Sequence, residues 1–330
     1  MAETHRLDSS QVHYAWDNAL PPRLEVDPGD TVVFDTRDAA DGYYSRTSTH
    51  ADVLARGPFR GHPLTGPVHV RGARPGDVLV VDVVDVRPAA DFGWTAIRPG
   101  RGLLPVEDFP KPYLQIWDLS DGRHARSERG IAVPIEAFPG VMGVALDAPG
   151  PHSTMPPRKN GGNMDIKQLT AGSRLHLPVL VEGALFSVGD AHAAQGDGEV
   201  CVTAVEMSAQ ATLSFDLEPG RLLNEPQFRT ADTPRGARGP CFVTTAHGPD
   251  LFASARQAVR YMIDHLVTER GLSREEAYIL SSVAVDLRIS GWCWAGWLPG
   301  RPSEAADLEG QIRGRLARAQ TPAIPRRCRQ

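Results

Sequence analysis

The sequence predicts a mainly β chain with a late α-helical pair, α+β overall. Three observations predict it. Glycine and proline are frequent, 32 and 28 of 330 residues, about 18% against roughly 12% in an average protein, so the chain turns often and runs in short strands. Runs of β-branched residues flank Pro-Gly-Asp turns within the first ninety residues. Helical spacing of apolar residues sets in only after residue 250.

The first elements form an internal echo. Leu24–Asp35 and Val70–Asp82 each read as a β-rich segment, a turn (Pro28-Gly29-Asp30 or Pro75-Gly76-Asp77) and another β-rich segment. Proline presets φ at the first central position of a type II turn and glycine supplies the positive φ of the second. A weaker relative surrounds Ala171-Gly172-Ser173. Residues 10–90 therefore read as strands closing on one another. Residues 90–160, rich in proline and glycine, read as long functional loops with one short strand at Tyr113–Trp117. The β pattern returns in Leu175–Val181, Ala184–Val188, Glu199–Met207 and Ala211–Leu217. Ala255, Val259, Met262, Ile263 and Leu266 then define a helix over Ala253–Arg270, stopped by Gly271. Ser273-Arg274-Glu275-Glu276 matches a capping box and starts a second helix through Ala277, Leu280, Ala284 and Leu287. Residues 1–250 thus form a β-rich core, 251–300 a helical pair and closing segment of the same domain, and 301–330 a peripheral tail. Trp292, Trp294 and Trp297 suit packing or an oligomer contact.

Several classes drop out. With 35 basic and 40 acidic side chains the formal charge is −5, and no long basic run is present, so no nucleic-acid partner is expected. No apolar stretch reaches the roughly 20 residues that span a bilayer, so no membrane is expected. The opening residues lack the basic start and apolar core of a signal peptide. Cys201, Cys241, Cys293 and Cys328 are widely spread with no Cys-x-x-Cys pair, as in a reduced, cytoplasmic protein.

One stretch carries chemistry more clearly than the rest. From Gly183 a short apolar strand runs into Asp190-Ala191-His192, then a glycine-rich turn, then Glu199 opening another strand. In extended chain, residues i and i+2 face the same way, so Asp190 and His192 project together. The turn can bring Glu199 beside them. Carboxylate, imidazole and carboxylate form a donor set for Zn²⁺ or a related divalent ion; simple turn hydrogen bonds from Asp190 and Asp197 are the plainer alternative. A second stretch, Asn160-Gly161-Gly162-Asn163-Met164-Asp165-Ile166-Lys167, puts two glycines suited to close backbone approach before several polar groups. Asp165 would serve as a ligand or general base, and Lys167 would pair with it or polarise a carbonyl; a glycine turn capped by Asn163 is the alternative. Asp38 and His62 belong to an acidic and imidazole cluster near the N-terminus whose acids are commonly just solvated. Cys201 falls inside a strand pattern and reads as a buried structural residue, with a thiol nucleophile near Glu199 as the rival. No phosphate loop, dinucleotide fingerprint or Gly-x-Ser-x-Gly elbow is present.

Trp16-Asp17-Asn18, Asp35 to Asp38, His62-Pro63-Leu64-Thr65-Gly66-Pro67, Gly72-Ala73-Arg74-Pro75-Gly76-Asp77, Gly161-Gly162-Asn163-Met164-Asp165 and Glu182 through Glu199 follow one another along the chain. Glu276-Ala277-Tyr278 and Leu280-Ser281-Ser282 continue the series. With these motifs the sequence resembles the acetamidase/formamidase family over most of its length. That resemblance implies two sandwich-like β layers, a homo-oligomer (a dimer or higher), and hydrolysis of short aliphatic amides to carboxylate and ammonia. It implies a divalent metal, Zn²⁺ preferred and Ca²⁺ the alternative, with Asp165, His192 and Glu199 at or beside it and Asp190 as ligand or orienter of His192. Asp38 and His62 would then transfer protons or position substrate, and Asn163, Gly162 and Lys167 would contact the amide. A pocket for formamide or acetamide would be small. Two rivals stand beside this reading, a non-enzymatic β module holding structural calcium and a metal-free amidase working through Cys201.

Overall fold

Each Pro-Gly-Asp turn carries the chain from one sheet into another. Gly29 and Gly76 both have φ of 97°, the left-handed conformation a type II turn needs. In the computed structural model, which describes residues 2–231, 240–295 and 307–316, the strand before each turn lies in one sheet and the strand after it in a second. Leu24–Val26 and Leu64–Val70 pair in parallel, while Thr31–Thr36 and Val78–Pro88 flank the two edges of Ala209–Glu218, both antiparallel to it. The two halves of the echo therefore occupy equivalent places. They do not close on one another as hairpins.

Among the described residues, the first sheet has nine strands in the order Thr4–Leu7, Thr31–Thr36, Ala209–Glu218, Val78–Pro88, Arg174–Pro178, Gln227–Arg229, Phe242–Ala246, Asp307–Leu316, Val285–Ala295. The second has ten, with Phe186–His192 at its centre between Leu64–Val70, Phe138–Gly143 and Glu206–Met207. Strands Thr31–Thr36 and Ala209–Glu218 alternate buried and half-exposed positions, as one-sided burial requires. The core lies between the sheets, where Phe34, Phe186 and Phe215 meet edge to face at centroid distances of 6.1, 5.1 and 6.3 Å. Each such pair adds about 0.5–1.5 kcal/mol beyond its buried area. The two β layers with few helices are as expected.

Four local expectations are corrected. Residues 90–160 hold more than one short strand, since Phe92–Ile97, Tyr113–Asp118 and Phe138–Gly143 are all six-residue strands of the second sheet. Glycine and proline inside Phe138–Gly143 mark crowding rather than turns; a Cβ on Gly143 would lie 2.7 Å from the Gly162 nitrogen. Glu199–Met207 shrinks to Glu206–Met207, because Gly198, Glu199 and Val202 take positive φ values of 87°, 43° and 68°. The second helix ends at Ala284, and Leu287 belongs to the strand that follows. Within the expected peripheral tail, Asp307–Leu316 is a strand seated between two others of the first sheet. Trp292 and Trp294 fall in the strand Val285–Ala295; Trp297 and the remainder of the tail lie outside the described residues.

The helices form where their end signals sit. Asp250 caps Leu251–Arg270 by accepting from the Ala253 amide, and Gly271 ends it in the left-handed conformation at φ 65°. Ser273 and Glu276 cap each other's backbone at the start of Arg274–Ala284. The pair buries Met262, Ile263, Leu266 and Ala277 against Phe242. No described helix is long and apolar enough to cross a membrane.

Candidate active site

A change of face within one strand creates the site. On Phe186–His192 the core takes Phe186 and Val188, then Ala191 and, just beyond, Ala193. The inward face shifts by one residue at Asp190, whose φ of 53° breaks the extended backbone. Without that break Asp190 and His192 would continue the row of Phe186 and Val188 into the phenylalanine core. With it they turn the other way together, His192 Nε2 lying 3.5 Å from Asp190 Oδ1. Gly140, on the neighbouring strand, leaves room: a Cβ there would stand 2.8 Å from His192 Cε1 and 2.9 Å from Asp165 Oδ1.

The tautomer of His192 follows from Gln195. The Gln195 amide nitrogen donates to the carbonyls of Asp165 and Ser290 at 2.9 and 3.1 Å. Its oxygen must then face His192 Nδ1, 2.8 Å away, and accept from it. Nδ1 therefore carries a hydrogen and Nε2 is left to the cavity. There Nε2 faces Glu206 Oε2 at 3.2 Å as well as Asp190, out of line for a hydrogen bond with either. On the far side His62 Nε2 approaches Asp190 Oδ2 at 3.5 Å, with its ring fixed by Thr154 Oγ1 at 3.0 Å. Gln195→Ala should lower turnover about 10–100-fold, because His192 loses the contact that fixes its tautomer; steady-state rates check it.

Four carboxyl groups face these imidazoles. His192 draws together Asp165 and Glu199 as one donor group and Asp190 and Glu206 as another, the ligand atoms in each lying within 4.8 Å of one another. Asp165, Asp190 and Glu199 all hold positive φ, 47°, 53° and 43°, a strained conformation that costs on the order of 1–3 kcal/mol per residue and gathers at functional sites. Burial pushes the Glu206 carboxyl up to about 7, the charge of Asp190 adding to it against the pull of His192. Burial, then the charge of Asp165, also raises Glu199 well above the usual carboxylate range. Burial would raise Asp190 too, but the facing His62 and His192 outweigh it and hold that carboxyl below its ordinary value. Burial works against charge on His192, and the Glu206 and Asp190 carboxylates overcome it, leaving the imidazole well above its ordinary pKa. A compact set of carboxylates around one imidazole offers the donor atoms a cation would need.

His62 and the four carboxyl groups line a cavity of about 770 Å³, together with Asn163, Cys201 and Trp94. It is larger than a pocket shaped around formamide. The structure gathers Asp165, Asn163, Asp190, His192, Glu199 and His62 as the sequence suggested, though Glu199 sits in a turn and opens no strand. Other assignments are corrected. Asp38 accepts from the Ala40 and Gly42 amides and from Trp94 Nε1, at 2.8, 3.1 and 3.2 Å, so it braces the Trp94 wall and does not reach the cavity. Lys167 pairs with Asp197 at 3.2 Å outside the cavity. Gly162 is a strand residue opposite Met142; the nearest atom a Cβ there would meet is Trp16 Nε1 at 3.5 Å. Cys201 is neither in a strand nor buried; it is half-buried in a turn, its thiol donating to the Thr203 carbonyl at 3.4 Å. Cys201→Ser should keep most of the turnover, because among the described residues the thiol is hydrogen-bonded to Thr203 and not to a base; ammonia release by the variant checks it. Glu206, Gln195 and Thr154 escaped the sequence reading. Only Glu206 carried a signal, as a charge inside the apolar run Ala204-Val205-Glu206-Met207.

A sequence profile described as the Acetamidase/Formamidase family matches residues 2–152 and 147–295. The chain belongs to the acetamidase/formamidase family. Within the family it is 30% identical to an acetamidase of Mycolicibacterium smegmatis over 63% of this chain, a match spanning 66% of that relative. It is 29% identical to a formamidase of Methylophilus methylotrophus over 88% of each chain. The crystal structure of an acetamidase from Bacillus halodurans superposes with a TM-score of 0.82 at 31% identity, over 94% of this chain and 97% of that one. The two-layer architecture is thus that of acetamidases.

Proposed function

We propose that the protein hydrolyses short aliphatic amides to carboxylate and ammonia with the help of a divalent ion of the zinc type. The observation that carries this reading is the convergence of His192 Nε2, Asp190 Oδ1 and Glu206 Oε2, all buried and none aligned in a hydrogen bond. Buried polar atoms are nearly always satisfied, so this set is suited to a cation. Asp165 and Glu199 form the second group around the same imidazole. The imidazole favours zinc over calcium, which takes oxygen ligands. Such an ion, when bound, supplies a water of lowered pKa and Lewis acidity toward a carbonyl.

The chain's own residues do the rest. Gln195 holds His192 in one tautomer. Glu199, whose carboxyl is raised above its ordinary range by burial and then by the charge of Asp165, is the candidate for moving protons during the reaction. His62, whose imidazole burial keeps below its ordinary pKa despite the Asp190 charge, faces the cavity where the departing amine needs a proton. Asn163, whose side chain donates to the Met155 carbonyl at 3.0 Å, lines the cavity and would orient the amide. The family's acetamidase and formamidase relatives support this reaction class. A homo-oligomer belongs to the same reading, and exposed Phe252, Ile279 and Val283 on the helical pair offer an apolar face for it. Ammonia release from formamide, acetamide and propionamide, with metal analysis of the same sample, tests the proposal. Turnover that scales with bound metal is the expected result. A metal-loaded, folded protein that releases no ammonia from any amide would overturn it.

A further inference from the structure

The cavity is built from two chemically different walls. Strands Phe186–His192 and Glu206–Met207 contribute Asp190 and Glu206, and the turns beside them Asp165 and Glu199, while loops 56–59 and 98–101 contribute Arg56, Arg98 and Arg101. All three arginines are half-buried. Arg56 donates to the Ala39 carbonyl at 2.6 Å, and Arg98 donates from both terminal nitrogens to the Gly57 carbonyl at 3.3 Å. A guanidinium has five N–H donors, so one carbonyl leaves most of each fork unused. Neither Arg56 nor Arg98 has a carboxylate at ion-pair distance among the described residues, although four carboxyl groups line the same cavity. Burial, and after it the neighbouring charge of Arg98, pushes the Arg101 guanidinium down from its ordinary range. Tyr44 and Trp94 pack at 4.6 Å between centroids on the same lining and give it apolar area.

Size points the same way. Cavities of roughly 300–1,000 Å³ hold ligands of drug size, and this one is about 770 Å³. Acetamide has four heavy atoms and, at roughly 30 Å³ per water-sized unit, would occupy only a small part of it. Nothing about formamide or acetamide explains a cationic wall.

Resting on the amide-hydrolysis reading, we propose that the preferred substrate is an amide whose acyl chain ends in an anionic group such as a carboxylate, held by Arg98 and Arg56 while the amide lies at the His192 centre. Planar guanidinium forks match carboxylate geometry, and charge-assisted bonds of this kind are the strong ones. A neutral amide of equal length leaves the arginines without that partner.

Length-matched pairs test it: succinamate against butyramide, and the monoamide of adipic acid against hexanamide. The anionic member of at least one pair should show a kcat/KM about 10-fold or more above its neutral partner. Arg98→Gln should lower that ratio about 10–100-fold, mainly through KM, and Arg98→Lys should restore part of it. Neutral amides turned over as well as their anionic partners, or a ratio untouched by Arg98→Gln and Arg56→Gln alike, would overturn the proposal. If no amide releases ammonia, the hydrolysis reading fails, and calorimetric titration of the same pairs decides selection separately. Tighter binding of the anionic amide, lost in Arg98→Gln, upholds it; equal binding of both members overturns it.

Discussion

His192→Ala should remove amide hydrolysis, by at least about 10²–10⁴-fold, while the chain stays folded. The effect is large because His192 belongs to both donor groups and is the one imidazole they share. Alanine would leave Asp165, Asp190, Glu199 and Glu206 facing one another without the charge that now offsets them. The fold is spared for a separate reason. The strand is held by pairing on both sides, to Phe138–Gly143 and to Glu206–Met207, and its core contacts come from Phe186, Val188 and Ala191. Circular dichroism and thermal unfolding report the fold, and ammonia release reports turnover. Retention of most activity in a folded variant would take His192 out of the reaction.

Chelation is expected to abolish turnover at a temperature where the metal-free protein remains folded, and one divalent ion should restore it. In the restored enzyme the rate should rise with pH through about 7, where water on a zinc ion ionises. The metal-free protein has its own pH signature. An unfolded glutamate titrates near 4.5 and Glu206 in the folded chain near 7, so the stability linked to its protonated form is complete below about 4.5 and is lost as pH rises through about 7. A bound cation favours the carboxylate and removes that loss. Melting temperatures of metal-free and metal-loaded protein should therefore lie further apart at pH 8 than at pH 5. A constant gap, with turnover intact after chelation, would remove the ion from the site.

What the sequence revealed was local chemistry. The Pro-Gly-Asp turns, the Ser273 capping box and the Gly271 stop each depend on residues a few positions apart, and each formed as written. Asp190, His192 and Glu199 were legible for the same reason, lying within ten residues of one another. Glu206 was not, because it meets His192 as a cross-strand partner. Asp38 misled because its partner Trp94 lies 56 residues away, and Lys167 because its partner Asp197 sits on a separate loop. The cationic wall was invisible, since its arginines come from two loops that meet only in the folded sheets.

One backbone oxygen ties the two ends of this architecture together. The Ser290 carbonyl accepts from the Gln195 amide and, at 3.0 Å, from the Gly198 nitrogen, and Arg288 reaches Asp197 at 2.9 Å in the same loop. The strand that supplies that oxygen follows directly on the helical pair. The helical pair is thus joined through one strand to the loop that carries Gln195 and Glu199. A cut in the backbone near residue 285 would slacken the loop from a distance, with the ligand side chains themselves untouched. Residues 251–295 meet the candidate site through the Ser290 carbonyl and Arg288.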